Sequence, residues 1–138
     1  MEVLKTMPAR ILVVDDDNEH ARMVQTMLET TGYQTSVVNG GRAALQQTRD
    51  AQPDLMILDL VMPGMDGWQV LEQLRAEAST ASLPVILLTA KNEAADVAMS
   101  WHMGADLYLT KPFSAPALLS FVERLLNEIA KAGPRRAA

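Results

Sequence analysis

Asp54-Leu55-Met56-Ile57-Leu58-Asp59-Leu60-Val61-Met62-Pro63-Gly64-Met65-Asp66-Gly67 is the stretch that decides the fold. Four consecutive apolar residues, Leu55 to Leu58, stop at Asp59, and a Pro63-Gly64 turn follows. A short, wholly apolar run bounded by turn signals is the pattern of a strand buried on both faces, as in parallel sheets. An ionised carboxylate is costly in such surroundings, so a strand that finishes on one has carried it to the rim of the sheet. In open α/β sheets that rim is where ligands bind. Asp59 is therefore the first candidate for a reactive group.

Working outward, the pattern repeats. Ile11-Leu12-Val13-Val14 is a second buried-strand signature and also ends on acid, Asp15-Asp16-Asp17. Asp17 or Asn18 can cap the helix that follows. In that helix Ala21, Val24, Met27, Leu28 and Thr31 recur at helical spacing, until Gly32 stops it. Tyr33, Thr35 and Val37 alternate with polar residues, as in an edge strand. Asn39-Gly40-Gly41 turns the chain into a short helix over Ala43 to Asp50, which Pro53 ends. On the far side of the deciding stretch, Asp66 can cap a helix carrying Val70, Leu71 and Leu74. Leu83 to Leu88 is a fourth strand, closed by Thr89-Ala90-Lys91. A helix through Val97 and Met99 ends near Gly104, and Leu107-Tyr108-Leu109 is a fifth strand. After Lys111-Pro112-Phe113, Ser114 caps a last helix whose buried stripe is Leu118, Val122, Leu125, Leu126 and Ile129.

Strands and helices thus alternate, five of each. Right-handed crossovers force such a chain into an α/β, flavodoxin-like doubly wound fold, a parallel sheet with helices on both faces. Strands one, three and four are the most uniformly apolar and suit the centre, while the alternating second strand suits an edge. The order 2-1-3-4-5 follows, with its switch point between strands one and three. That places Asp15, Asp16 and Asp59 together in one acidic pocket.

The bulk numbers narrow what such a pocket serves. The 138 residues suffice for one domain with a proper core. We expect the domain over residues 10–131, between a flexible lead-in (1–9) and a flexible tail (132–138). A net charge of −5 argues against nucleic acid as a partner of this domain, since such affinity rests on neutralising phosphates. The absence of cysteine excludes disulfides and thiolate metal sites. Two histidines, His20 and His102, make a histidine-rich zinc site implausible and read as surface residues. No apolar run approaches the ~20 residues of a membrane span, and there is no signal-peptide core, so a cytoplasmic location is expected.

Three converging carboxylates repel one another, and a hard divalent cation relieves them. Magnesium suits oxygen-only ligands and keeps positions for water and phosphate oxygens. A carboxylate can then act as nucleophile toward a phosphoryl group. Lys111 and Thr89, at the ends of strands five and four, stand on the same rim and supply an ammonium and a hydroxyl.

Val13-Val14-Asp15-Asp16, Asp59 with Met62-Pro63-Gly64-Met65-Asp66-Gly67, Thr89-Ala90, and Gly104-Ala105-Asp106 leading to Lys111-Pro112-Phe113 together resemble the receiver domain of bacterial two-component response regulators. The resemblance covers about residues 10 to 130, in the family's order and spacing. It implies that Asp59 is the phosphoacceptor, served by a histidine kinase or a histidine phosphotransfer protein. It implies a magnesium ion held by Asp16, Asp59 and the backbone carbonyl of Val61, with Asp15 acting through a water. Lys111 would pair with the phosphate, and the Lys111–Pro112 bond would be cis. Thr89 and Tyr108 would be the switch pair, reshaping the face made by the fourth helix, the fifth strand and the last helix toward a downstream protein or output domain. Such a domain catalyses only its own phosphorylation and dephosphorylation. In place of the Asp-Asp common before the switch aromatic stands Asp106-Leu107, which lowers the expectation of a salt-bridged dimer on that face. Val61 and Lys91 occupy the two positions that vary beside the family's site.

Other readings are weaker. Asp17 and Asp66 serve as helix caps, Trp101 and Met103 as packing (an exposed Trp101 would instead be a partner anchor), and most of the nine methionines as core filler. Asp15-x-Asp17 resembles the nucleophile motif of haloacid-dehalogenase-type phosphatases, which also use magnesium and an aspartyl phosphate. Glu19 and His20 follow where that family needs Thr or Val, and the chain is short. A flavodoxin would need a Ser/Thr/Gly-rich loop after strand one, where this chain has acid.

Overall fold

The computed structural model describes residues 8–90 and 104–132. Five parallel strands, β1 (Arg10–Val14), β2 (Gln34–Val38), β3 (Leu55–Asp59), β4 (Val85–Ala90) and β5 (Leu107–Lys111), lie in the order β2-β1-β3-β4-β5. The helices are α1 (Asn18–Thr30), α2 (Gly41–Asp50), α3 (Gly67–Ala76) and α4 (Ala115–Ala132). The expected helix through Val97 and Met99, together with Lys91, Trp101, His102 and Met103, lies outside the described residues.

Strand alternation sorts the core into two layers. Leu12, Val14, Met56, Leu58, Val85 and Leu87 face α2 and α3, where Ala44, Leu45, Val70, Leu71 and Leu74 meet them. Ile11, Val13, Leu55, Ile57, Ile86, Leu88 and Leu109 face the other way, onto Ala21, Val24 and Leu28 of α1 and Leu118, Val122 and Leu125 of α4. Every side chain of β3 is buried, including Asp59. The helix starts follow local chemistry. Asp17 caps α1 by accepting from the N–H groups of Glu19 and His20 at 3.0 and 3.2 Å. Asp66 and Gln69 form a reciprocal capping box on α3 at 3.0 and 2.9 Å. Gly32, just past α1, has φ +104°. Among the described residues no helix is long and apolar enough to cross a membrane.

Arg75, in the last turn of α3, ties three segments together. It donates to the carbonyls of Gly104 (2.9 Å) and Thr80 (3.1 Å) and to Asp106 Oδ2 (3.2 Å). The same Asp106 oxygen accepts the N–H of Val85 at the start of β4, 2.9 Å away. Arg75→Ala strips donors from three acceptors, of which those of Thr80 and Asp106 are partly buried, and should cost about 1–3 kcal/mol. Urea unfolding should show a lower midpoint with unchanged slope, and Arg75→Lys should recover only part, since an ammonium cannot reproduce the planar fork. An unshifted midpoint in Arg75→Ala would contradict the clamp.

Candidate acidic phosphoryl-transfer site

The rim formed by the carboxyl ends of β1, β3, β4 and β5 gathers the chain's chemistry. Asp59 is the last residue of β3 and pairs in register with Leu88 of β4. Beyond it, the Leu60 N–H donates to Leu88 O at 2.9 Å, and Leu60 O accepts the Gly67 N–H at 2.8 Å. The loop after Asp59 is thereby tied to both β4 and α3. Gly64 completes the turn at φ +77°, a conformation glycine adopts without a Cβ penalty.

Asp15 follows β1 and is held on every side. Its N–H donates to Val38 O at 3.1 Å, and its carbonyl accepts from Asn39 Nδ2 at 2.9 Å. Its Oδ1 accepts the Asp17 N–H at 2.9 Å, and its Oδ2 is in hydrogen-bond contact with His20 Nδ1. His20 is thus no mere surface residue. It sits at the third position of α1, from which a side chain reaches back over the helix start, and its ring stands edge-on to Phe113 at 5.8 Å.

One oxygen from each of Asp15, Asp16 and Asp59 lies within 4.8 Å of the others; Asp15 and Asp59 are buried and Asp16 is exposed. These residues fit a magnesium ion. All donors are oxygens, two buried carboxylates need charge compensation, and the exposed side leaves room for water or a phosphate oxygen. Lys111 Nζ stands 3.0 Å from Asp59 Oδ1. Burial, above all, pushes the Asp59 carboxyl above its usual range; Lys111 pulls it back by hydrogen bond and charge, and Asp15 raises it further.

Thr89 is buried in β4, in register with Thr110. Tyr108 is half-buried in β5 opposite Leu87. Alternation therefore puts Thr89 and Tyr108 on the same sheet face, two residues apart in register. Val61 is 71% exposed at the rim. The Lys111–Pro112 peptide bond is cis, as the resemblance implied. Next to the Lys111–Asp59 pair, His20, Met23, Ala90, Lys111, Pro112 and Phe113 line a cavity of about 520 Å³.

Comparison with known proteins agrees with this geometry. The profile of the response regulator receiver domain matches residues 11–123. The DNA-binding response regulator MtrA of Mycobacterium tuberculosis is 42% identical over 124 residues, covering 90% of this chain and 53% of MtrA. The chain thus spans about half the length of such relatives. Among solved structures, the signal receiver domain of a signal transduction histidine kinase from Syntrophus aciditrophicus superposes with a TM-score of 0.82 at 40% identity, covering 88% of this chain and 92% of that one. The chemotaxis protein CheY4 of Vibrio cholerae gives 0.80 at 30% identity, covering 85% and 98%. Nothing in these matches supports a haloacid-dehalogenase-type phosphatase. With the fold, the strand-end carboxylates and the matched profile in agreement, this chain belongs to the response regulator receiver family, the signalling domains of two-component systems.

Proposed function

We propose that Asp59 accepts a phosphoryl group from a phosphohistidine on a histidine kinase or phosphotransfer protein. The observation that carries the reading is the Lys111 ammonium 3.0 Å from Asp59 Oδ1, beside a triad of carboxylates with ligand atoms within 4.8 Å of one another. An Asp59 carboxylate oxygen attacks phosphorus. The new O–P bond forms as the N–P bond breaks, and the electron pair stays with the donor imidazole, which takes up a proton. Asp16, Asp59 and the Val61 carbonyl would hold magnesium, with Asp15 acting through a water; the ion supplies charge neutralisation on the phosphoryl oxygens. Lys111 pairs with one of those oxygens, and the Thr89 hydroxyl donates to another.

Switching follows from the same contacts. Thr89 moving toward the phosphoryl group vacates space on the face it shares with Tyr108, whose ring then turns inward. The surface reshaped includes β5 and the last helix, and it would be read by a downstream protein or by an output domain of a longer regulator. MtrA is named as DNA-binding; the acidic balance of this domain makes it a regulator of such an output rather than the DNA contact itself. The receiver unit is read as residues 10–131, supported by β1 starting at Arg10 and α4 running to Ala132, with 1–9 and 132–138 flanking it. A cytoplasmic setting suits a phosphohistidine donor and a chain without cysteine.

Acetyl phosphate should phosphorylate the protein in the presence of magnesium and not after chelation by EDTA. Intact-mass analysis should find one phosphoryl adduct on the wild type and none on Asp59→Ala. An adduct of equal yield on Asp59→Ala would overturn the assignment.

A further inference from the structure

We infer that His20 is a positioning residue for the metal pocket, fixing the Asp15 carboxylate for magnesium. The inference rests on the reading of Asp15, Asp16 and Asp59 as the magnesium site. A carboxylate turns easily about its last bond, where the torsion is broad. The Asp17 N–H holds only Oδ1 of Asp15. Contact of Oδ2 with His20 Nδ1 supplies the second point that stops rotation. Asp15 is 1% exposed, so bulk water is a poor substitute for that donor. Oxygens of Asp15 and Asp59 lie within 4.8 Å of each other, so a loosened Asp15 carboxylate would crowd the acceptor.

The imidazole is itself held. Its backbone N–H donates to Asp17 Oδ1 at 3.2 Å, and its ring stands edge-on to Phe113 with an interplanar angle of 75°. Phe113 lies two residues beyond Lys111. One ring therefore connects the Asp15 carboxylate to the loop that carries the phosphate-pairing lysine. Loss of an outer group that orients a ligand typically costs about 10–100-fold in metal affinity; His20 acts on the ligand water through Asp15, which puts the expected loss at the low end of that range.

Magnesium titrations followed by amide NMR shifts of Leu60 and Val61 test the assignment. His20→Leu should weaken magnesium binding about tenfold and, by leaving one buried Asp15 oxygen without its donor, lower the urea midpoint in magnesium-free buffer. His20→Asn places its amide nitrogen the same number of bonds from the backbone as imidazole Nδ1 and should restore most of the affinity. His20→Gln moves that nitrogen one bond outward and should behave like His20→Leu, which covers the case in which the leucine variant does not fold. Equal affinity in His20→Gln and the wild type would overturn the inference, as would a His20→Asn variant no better than His20→Gln. A wild type that binds no magnesium, like an Asp16→Asn control, would overturn the metal-site reading and this inference with it.

Discussion

Gly67→Val should destabilise the domain by about 3 kcal/mol or more, and it should do so through the backbone of the acceptor residue. Gly67 is the first residue of α3 and is buried against the end of β3. A Cβ there would lie 2.7 Å from Asp59 O and 2.8 Å from Leu60 Cα. Both are main-chain atoms, one in the last residue of β3 and one in the residue just past it, so no rotamer change relieves the clash. Either α3 lifts from the sheet, breaking the Gly67 N–H to Leu60 O bond, or the end of β3 shifts and carries Asp59 with it. Urea unfolding should show the lost stability, and magnesium-dependent labelling by acetyl phosphate should fall even where the variant is folded. Two neighbouring glycines serve as comparisons. Gly64→Ala meets no atom within 4 Å and costs only the left-handed backbone at φ +77°, about 1 kcal/mol. At Gly41 a Cβ would press on side-chain atoms alone, Met65 Cγ and Val70 Cγ2 at 2.8 Å and Met65 Cβ at 2.9 Å, so α2 and α3 must shift but the acceptor backbone is not struck. A Gly67→Val variant as stable as Gly64→Ala would refute the close-packing account.

The contrast between these glycines also marks what the sequence discloses. Buried strands were legible because burial on both faces leaves no alternative to continuous apolar runs: Ile11–Val14, Leu55–Leu58 and Val85–Leu88 are all buried. Strand order followed from the same logic, with the alternating Gln34–Val38 at one edge. Boundaries were less legible. The fourth strand begins at Val85 rather than Leu83, because the ladder that β3 opens uses Pro84 only as an acceptor, through the Met56 N–H. The second helix begins at Gly41 rather than Ala43, where the absence of a side chain lets α2 approach Met65 and Val70. Asp15, Asp16, Asp59 and Lys111 were legible because topology alone brings strand ends together. His20 was misread because its contact depends on a rotamer reaching back across a helix start, which periodicity does not encode. Arg75 was missed for a similar reason: its acceptors are carbonyls 5 and 29 residues away and a carboxylate 31 residues away.

The Asp59–Lys111 pair gives the site a measurable tension between stability and function. The folded-state carboxyl of Asp59 titrates above its unfolded value, because burial and Asp15 together outweigh the pull of Lys111. For a carboxylate raised in this way, stability is full below the unfolded pKa of about 4 and is lost as pH rises through the folded pKa. The metal-free protein is therefore weakened by Asp59 ionisation as pH rises through the folded pKa, although the ionised form is the one that attacks. Asp59→Asn should remove that loss and leave the magnesium-free protein more stable than the wild type once pH has risen through the folded pKa, while abolishing labelling. Lys111→Ala should act in the opposite sense. It removes the ammonium 3.0 Å from a 7%-exposed carboxylate, so the Asp59 carboxyl rises further and the pH-dependent loss deepens. About 1–2 kcal/mol is expected, less than for a fully buried pair because Lys111 itself is 31% exposed. Labelling by acetyl phosphate should slow about a hundredfold, the scale of losing one charge-stabilising donor. Lys111→Ala and Asp59→Asn combined should be no less stable than Asp59→Asn by more than about 0.5 kcal/mol, since the lysine's contribution requires the charge it faces. Urea midpoints of the four proteins between pH 4 and 8 in EDTA measure all three differences, and a magnesium-free Asp59→Asn less stable than the wild type at pH 7 would refute the burial-dominated electrostatics of the site.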